Sequence, residues 1–149
     1  FWLLGAIQLA ILFSQMTDVN SSYHRGIETM RTIFGPGIDL ALKGLAAKSP
    51  ELARQLVEFP FAEVYTRTTL DLKTREMLTV AALTVIGYAQ AELKDHIRGA
   101  LNVGCTREEI LEIILQMAVY AGFPAALEAV KTAAAVFDDT PTPARPEAA

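Results

Sequence analysis

The stretch DLKTREMLTVAALTVIG, residues 71–87, decides the fold class of this chain. Asp71 can cap the start of a helix, and Gly87 is the residue type that most often follows a helix's last turn. Together they predict a helix from Leu72 to Ile86. No wide polar face can be drawn on that helix from Glu76 onward. A helix that is apolar on nearly all sides is buried in a bundle core or at an interface.

Helix signals recur on both sides of this stretch, and strand signals are nearly absent. Ser49 followed by Pro50 predicts a helix start, with a bend near Pro60. The pattern T-x-x-E at Thr106 and Glu109 predicts a capping box at the start of another helix. Further helices are predicted at residues 23–34, 38–47, 50–66, 90–103, 107–121 and 124–137. The chain is therefore predicted to be all-α, with short connections that favour antiparallel neighbours.

A second apolar stretch, EEILEIILQMAVYAG at residues 108–122, also lacks a wide polar face. The chain has 149 residues and a mean hydropathy of +0.29, which is high for a soluble monomer of this size. A small domain has too much surface to hide that much apolar area by itself. The sequence therefore predicts that contacts between subunits cover part of these helices.

Charge and motifs exclude several classes of function. The net charge of -4 and the pI near 5.2 argue against nucleic acid, because no basic stripe is present to neutralise phosphates. A single cysteine, Cys105, excludes an internal disulfide and a multi-cysteine zinc site. There is no dinucleotide fingerprint, P-loop, nucleophile elbow or H-E-x-x-H motif. His24 and His96 are far apart without an acidic cluster at either, so no metal site is expected.

The two ends of the chain differ from the helical middle. FWLLGAIQLAILF, residues 1–13, is uncharged but shorter than the roughly 20 residues that span a bilayer. Three interpretations stay open: a signal-peptide core, an extension upstream of a start at Met16, or a helix that packs on a neighbouring subunit. No membrane span is expected, and the cytoplasm is favoured over the periplasm or secretion. The proline-rich C-terminus, DDTPTPARPEAA, is expected to be a flexible tail.

His96, in the predicted helix AELKDHIRGALNVG, is the first candidate for chemistry. It lies at the edge of an apolar stripe that includes Leu93 and Ile97. One interpretation is a partly buried histidine that is hydrogen-bonded to a neighbour, such as Glu92 one turn back. The other is a general acid or base, because an ordinary imidazole titrates near neutral pH.

Glu76 and Arg75 are the next candidates. Glu76 shares its helix face with Leu72 and Val80, and a carboxylate in that setting must be paired or kept neutral. Its partner is expected to be Arg75, a group of another subunit, or a functional group of a site. Arg75 otherwise has a planar fork suited to a substrate carboxylate.

The remaining candidates have simpler interpretations. Arg98 lies on a polar face and is expected to be exposed. Cys105, in a turn without a second cysteine nearby, is expected to be a bystander thiol. His24 is expected at the surface.

Three longer strings carry a resemblance to a known family. They are YHRGIETMRTIFG, FAEVYTRTTLDLKTREMLTVAAL, and LKDHIRGALNVGCTREEILEIILQMAVYAGFPAALEAVKTAAAVF. They closely resemble the carboxymuconolactone decarboxylase family over residues 23–137. The resemblance implies a domain at residues 22–138, between an extension at 1–21 and a tail at 139–149. It also implies an all-α, AhpD-like helical bundle subunit of six to eight helices that assembles as a hexamer, a ring of dimers.

The family contains two kinds of member, and the resemblance favours one of them. Members like the alkyl hydroperoxide reductase partner AhpD carry a C-x-x-C motif, followed by a histidine that matches His96, with a glutamate that matches Glu76. In this chain the cysteine positions fall in YAQAEL, residues 88–93, which contains no cysteine. The chain therefore looks closer to the decarboxylases of aromatic compound degradation, although a residual thiol-redox role is kept as an alternative.

The resemblance implies a cofactor-free carboxy-lyase that acts on a small carboxylated lactone similar to 4-carboxymuconolactone. His96 would donate the proton or contact the oxyanion, and Glu76 would orient His96 or share its proton. Arg75 and Arg98 would bind substrate carboxylates. No cofactor or metal is expected, because the lactone accepts the electrons that loss of CO2 releases. Alternatives are another lactone or a β-keto acid as substrate, and a non-catalytic oligomer.

One departure from the family pattern bears on the substrate. Thr68 and Thr69 stand where a proline–glycine pair is common. This difference puts the exact substrate in doubt and leaves the family resemblance intact.

Overall fold

The computed structural model describes residues 21–139, and all of its regular elements are helical. The predictions for the apolar N-terminus and the proline-rich tail lie outside these residues. Helix α1 covers residues 21–34. It is followed by α2 (Ile38–Lys48), α3 (Pro50–Leu56), a π-helix (Val57–Val64), α4 (Leu72–Ile86), α5 (Gln90–Asn102) and α6 (Arg107–Asp139). The described part of the chain contains no strand, which confirms the all-α class.

The helices form two compact units, one ending at Thr69 and the other beginning at Leu70. In the first unit, buried side chains that include Ile33, Val57 and Phe61 form the core. Gly26 of α1 lies so close to Val57 that an added Cβ would overlap the carbonyl oxygen of Val57. The glycine is therefore required by this close approach.

The bend predicted near Pro60 is a π-helical stretch. Proline has no N–H and cannot make the usual i to i−4 hydrogen bond, so the helix must adjust around it. Here the turn widens, and the backbone N–H of Tyr65 donates to the carbonyl of Pro60 at 2.8 Å. A single predicted helix at 50–66 is therefore replaced by α3 and the π-helix.

The second unit packs α4, α5 and α6 around one apolar core, which includes Val80, Leu93, Ile97, Ile110 and Ile114. Local signals set the ends of these helices. The Asp71 carboxylate accepts from the N–H of Thr74 at 2.8 Å, and Gly87 ends α4 with a φ of 76°.

The predicted capping box is present at the start of α6. The Glu109 carboxylate accepts from the N–H of Thr106 at 2.8 Å, and the Thr106 hydroxyl accepts from the N–H of Glu109 at 3.1 Å. Two backbone donors that a helix leaves without intrahelical partners are thereby satisfied. The cap fixes where α6 begins.

Helix α6 runs over 33 residues but is interrupted at Gly122, where φ is 80° and ψ is 163°. The sequence predicts separate helices on either side of this glycine, and the break lies at the predicted position. Among the described helices, α6 alone is long and apolar enough to cross a membrane by length and composition. Its Ile110, Ile114 and Ala129 nevertheless belong to the core of the unit.

Candidate active site

The position of Glu76 follows from the Asp71 cap. With α4 starting at Leu72, the side chains of Glu76, Val80 and Thr84 are one turn apart and share one face of the helix. All three are buried, and Glu76 is 0% exposed. A carboxylate in this position needs a polar partner, because burying an isolated charge is costly.

The partner of Glu76 is His96 of the neighbouring helix. Nδ1 of His96 lies 2.8 Å from Oε2 of Glu76, and the His96 side chain is 18% exposed. Sequence spacing suggested Glu92 as the partner of His96 and Arg75 as one partner of Glu76. The contact at 2.8 Å instead joins two helices whose connection is only three residues long.

The second carboxylate oxygen of Glu76 is less well satisfied. Within residues 21–139, Oε1 is buried and has no hydrogen-bond partner. Leaving a buried acceptor without a donor costs free energy, and the cost is greater for a fully ionised carboxylate. The contact with His96 is therefore the hydrogen bond that stabilises this buried carboxyl group.

The contact with Glu76 also assigns roles to the two ring nitrogens of His96. A carboxylate oxygen at Nδ1 favours the form in which Nδ1 carries a hydrogen. Nε2 then accepts a proton in the neutral ring and donates one in the imidazolium. A carboxylate that orients an imidazole in this way is the same device that serves general acid–base catalysis in hydrolytic triads.

The two candidate arginines lie in different surroundings. Arg75 is half-buried in the first turn of α4, and its backbone N–H donates to the carbonyl of Asp71 at 3.1 Å. The side chain of Arg98 is 41% exposed, and its guanidinium lies 3.1 Å from a carboxylate oxygen of Asp139 and 3.7 Å from one of Asp95. The structure thus brings Glu76 and His96 together, while Arg98 forms ion pairs at the surface. Binding of a substrate by Arg98 would require it to exchange those partners.

Comparison with known proteins identifies the family of this chain. The family model described as "Carboxymuconolactone decarboxylase family" matches residues 50–135, a segment that contains Arg75, Glu76, His96 and Arg98. The chain belongs to the carboxymuconolactone decarboxylase family.

Three relatives illustrate the range of this family. A 4-carboxymuconolactone decarboxylase of Acinetobacter baylyi is 32% identical over 118 residues, covering 78% of this chain and 87% of the relative. A nitrosuccinic acid decarboxylase of Metarhizium robertsii is 34% identical over 118 residues, covering 74% and 81%. An uncharacterised 15.0 kDa protein of Paracoccus denitrificans is 33% identical over 112 residues, covering 74% and 84%. Two of the three relatives are thus named as decarboxylases.

Cys105, the single cysteine of the chain, is poorly suited to thiol chemistry. Its side chain is buried, and burial raises the pKa of the thiol, with the negative charge of Glu109 adding to the effect. A thiol with a raised pKa holds its proton at neutral pH and is a weak nucleophile. Cys105 therefore packs in the core of the second unit, as a bystander thiol would.

Residues 21–139 offer no second candidate active site built on a metal ion or on another histidine. Among residues 21–139, no group of three His, Cys, Asp or Glu side chains is placed to hold a metal ion. His24 is exposed on α1 and lines an open surface groove together with Tyr23 and Lys43. His24 therefore serves as a natural control for His96.

Proposed function

We propose that this protein is a cofactor-independent decarboxylase of a small carboxylated lactone similar to 4-carboxymuconolactone. The observation that carries the proposal is the buried Glu76 carboxylate held against His96, in a chain with two relatives that are named as decarboxylases. The pair can supply the proton that a decarboxylation consumes. Family membership supports the carboxy-lyase class.

The names of the two decarboxylases support a substrate class. Both 4-carboxymuconolactone and nitrosuccinic acid are diacids in which one carboxylate can pass its electrons to an acceptor in the same molecule. The acceptor is the lactone carbonyl, reached through the ring double bond, in the first case and the nitro group in the second. The second carboxylate is a handle for binding. We therefore expect a small diacid with a built-in electron acceptor.

The proposed reaction assigns a role to each residue. The bond between the carboxylate and the substrate carbon breaks, CO2 leaves, and the electron pair moves into the acceptor oxygen. His96 then delivers a proton from Nε2 to carbon, while Glu76 holds Nδ1 and stabilises the imidazolium before transfer. Arg75 binds the remaining carboxylate. Solvent returns a proton to His96 through its exposed part.

We propose further that copies of this chain assemble through α6, as a hexamer. Before the break at Gly122, large apolar side chains that are more than a third exposed recur at every fourth position of this helix: Leu111, Leu115 and Val119. Phe123 and Leu127, beyond the break, are also exposed. An exposed apolar stripe of this length is typical of a protein–protein interface. A second copy is the occupant that the family resemblance favours.

The proposed function is tested by following the ultraviolet absorbance of 4-carboxymuconolactone, and of nitrosuccinate in parallel, with the purified protein. We expect turnover by the wild type and by His24→Asn, which removes the only other imidazole. His96→Asn is expected to lower kcat by about a hundredfold or more, because a positioned general acid typically contributes that much. Wild-type protein that is folded but turns over neither substrate, nor any other small lactone acid or β-keto acid, would overturn the proposed decarboxylase function.

A further inference from the structure

The pair of Glu76 and His96 has the properties of a base as well as those of an acid. In the neutral ring, Nε2 carries a lone pair, and the buried carboxylate 2.8 Å from Nδ1 stabilises the positive charge that forms when Nε2 takes a proton. Glu76 is 0% exposed, so among the two only His96, at 18%, can reach a ligand. Because Nδ1 contacts Glu76, the pair can act on a ligand only through Nε2 of His96.

Proton transfer to carbon also runs backwards at the same site. If an enolate receives a proton from Nε2, the same arrangement lowers the barrier for removing that proton again, because both directions share one transition state. In the reverse step the C–H bond breaks, its proton goes to Nε2, and its electron pair moves into the neighbouring carbonyl oxygen. Loss of CO2 has no part in this step, so a substrate without the reacting carboxylate can undergo it.

We infer that the Glu76–His96 pair catalyses enolisation, that is, reversible proton exchange at a carbon next to the carbonyl group of small lactones that lack the carboxylate lost in decarboxylation. The inference rests on the proposed function, because it uses the same proton transfer. It adds an activity in which no CO2 is lost. His96 is the catalytic base, and Glu76 is a positioning residue that acts through His96.

The test is deuterium exchange into the decarboxylated lactone, which has a ring CH2 between its carbonyl and its double bond. The lactone is incubated in D2O with wild-type protein, and NMR follows the loss of the CH2 proton signal, with buffer alone as the blank. We expect exchange by the wild type, His24→Asn and Cys105→Ser at least about a hundredfold faster than by His96→Asn. Cys105→Ser excludes the thiol as the base.

A positioning role for Glu76 makes a separate prediction. Glu76→Gln is expected to lower the rate constant for exchange by about tenfold or more with little change in KM, because the amide supports the imidazolium less well than a carboxylate. Glu76→Asp should recover part of the rate. If Glu76 were only structural, exchange by the folded Glu76→Gln protein would be unchanged.

The two activities fail in different ways. Exchange without decarboxylation of any acid would keep the enolisation activity and overturn the proposed function. Decarboxylation that depends on His96, with no exchange above the blank, would keep the decarboxylase activity, overturn the enolisation activity and show that His96 does not deliver the proton to carbon. Absence of both in folded wild-type protein would overturn both.

Discussion

Among single residues, His96 influences stability and chemistry at the same time. Its Nδ1 is the hydrogen-bond partner of Oε2 of Glu76, and Oε1 of Glu76 already has none within residues 21–139. Removing the imidazole would therefore leave both oxygens of a buried carboxyl group without a donor. Loss of activity in His96→Asn alone could then reflect partial unfolding, which makes a measurement of stability necessary.

The coupling between the two residues is measurable with a double-mutant cycle. We expect His96→Asn to lower the free energy of unfolding by about 1–3 kcal/mol, as for a buried polar group that loses its partner. Glu76→Gln should cost less, because an amide oxygen can still accept from Nδ1. Urea unfolding of both single variants and the double variant, at one protein concentration, should give a coupling of about 1–3 kcal/mol. Strictly additive effects would show that the contact at 2.8 Å contributes nothing to stability.

Cys105 gives a prediction about pH. Because burial raises its pKa, the folded protein holds the thiol proton to higher pH than the unfolded chain does. The folded state is thus favoured fully below the usual thiol value of 9.0 and loses stability as pH rises above it. We expect Cys105→Ala to reduce the fall in melting temperature between pH 8 and pH 10.5, measured by circular dichroism.

A second measurement on Cys105 uses its reactivity. At pH 7.5, a disulfide reagent should label the native protein at least about ten times more slowly than the urea-unfolded protein, since the thiolate is the reacting form. Labelling of the native thiol as fast as that of the unfolded chain would contradict the assignment of Cys105 as a buried bystander, and would revive a thiol-redox role.

Among the elements, the contact of α1 with the π-helix depends on one glycine. A Cβ at position 26 would overlap the Val57 carbonyl oxygen and lie 2.7 Å from Val57 Cγ1. We expect Gly26→Ala to lower the free energy of unfolding by about 1–3 kcal/mol, as overpacking does. The matched control is Gly44→Ala in α2, where nothing lies within 4 Å and alanine should stabilise the helix by about 0.5–1 kcal/mol. If urea unfolding gave the same change in the free energy of unfolding for both variants, the steric explanation for Gly26 would be wrong.

The elements also show what could be predicted from the sequence. The bounds of α4 and the start of α6 were predictable, because Asp71, Gly87 and the Thr106–Glu109 box act within a few residues of themselves. The π-helix was not predictable from Pro60, since a proline can bend, end or widen a helix and neighbouring packing decides which.

The candidate site was only partly predictable for a related reason. Glu76 and His96 could each be selected as polar groups on apolar faces. Spacing along one helix led to Glu92 as the partner of His96, and only the resemblance to the family implied that Glu76 orients His96. Deriving that pairing from the residues themselves requires knowing which faces of α4 and α5 meet. The three-residue connection between α4 and α5 was the available signal, because it makes these helices neighbours.

At the scale of the whole molecule, the exposed apolar side chains of α6 are the feature that a single chain does not explain. Val119 is 79% exposed, and it lies in the α6 stripe together with Leu111 and Leu115. The sequence predicts that contacts between subunits cover the apolar helices. In a single chain these side chains are exposed to solvent, so the prediction requires a second copy to bury them. Leu40 in α2 is equally exposed, at 77%, but lies in the other compact unit. The two positions therefore allow a direct comparison.

The assembly is tested by placing a charge at each position. We expect wild-type protein to sediment as an oligomer, and Val119→Asp to sediment at a lower mass, because a carboxylate in an apolar interface loses its hydration without gaining a partner. Leu40→Asp should keep the wild-type mass. Sedimentation velocity at several protein concentrations separates these outcomes, and circular dichroism confirms that each variant is folded. A wild-type protein that stays monomeric at all concentrations would contradict the hexamer, and a mass change in Leu40→Asp alone would move the interface away from α6.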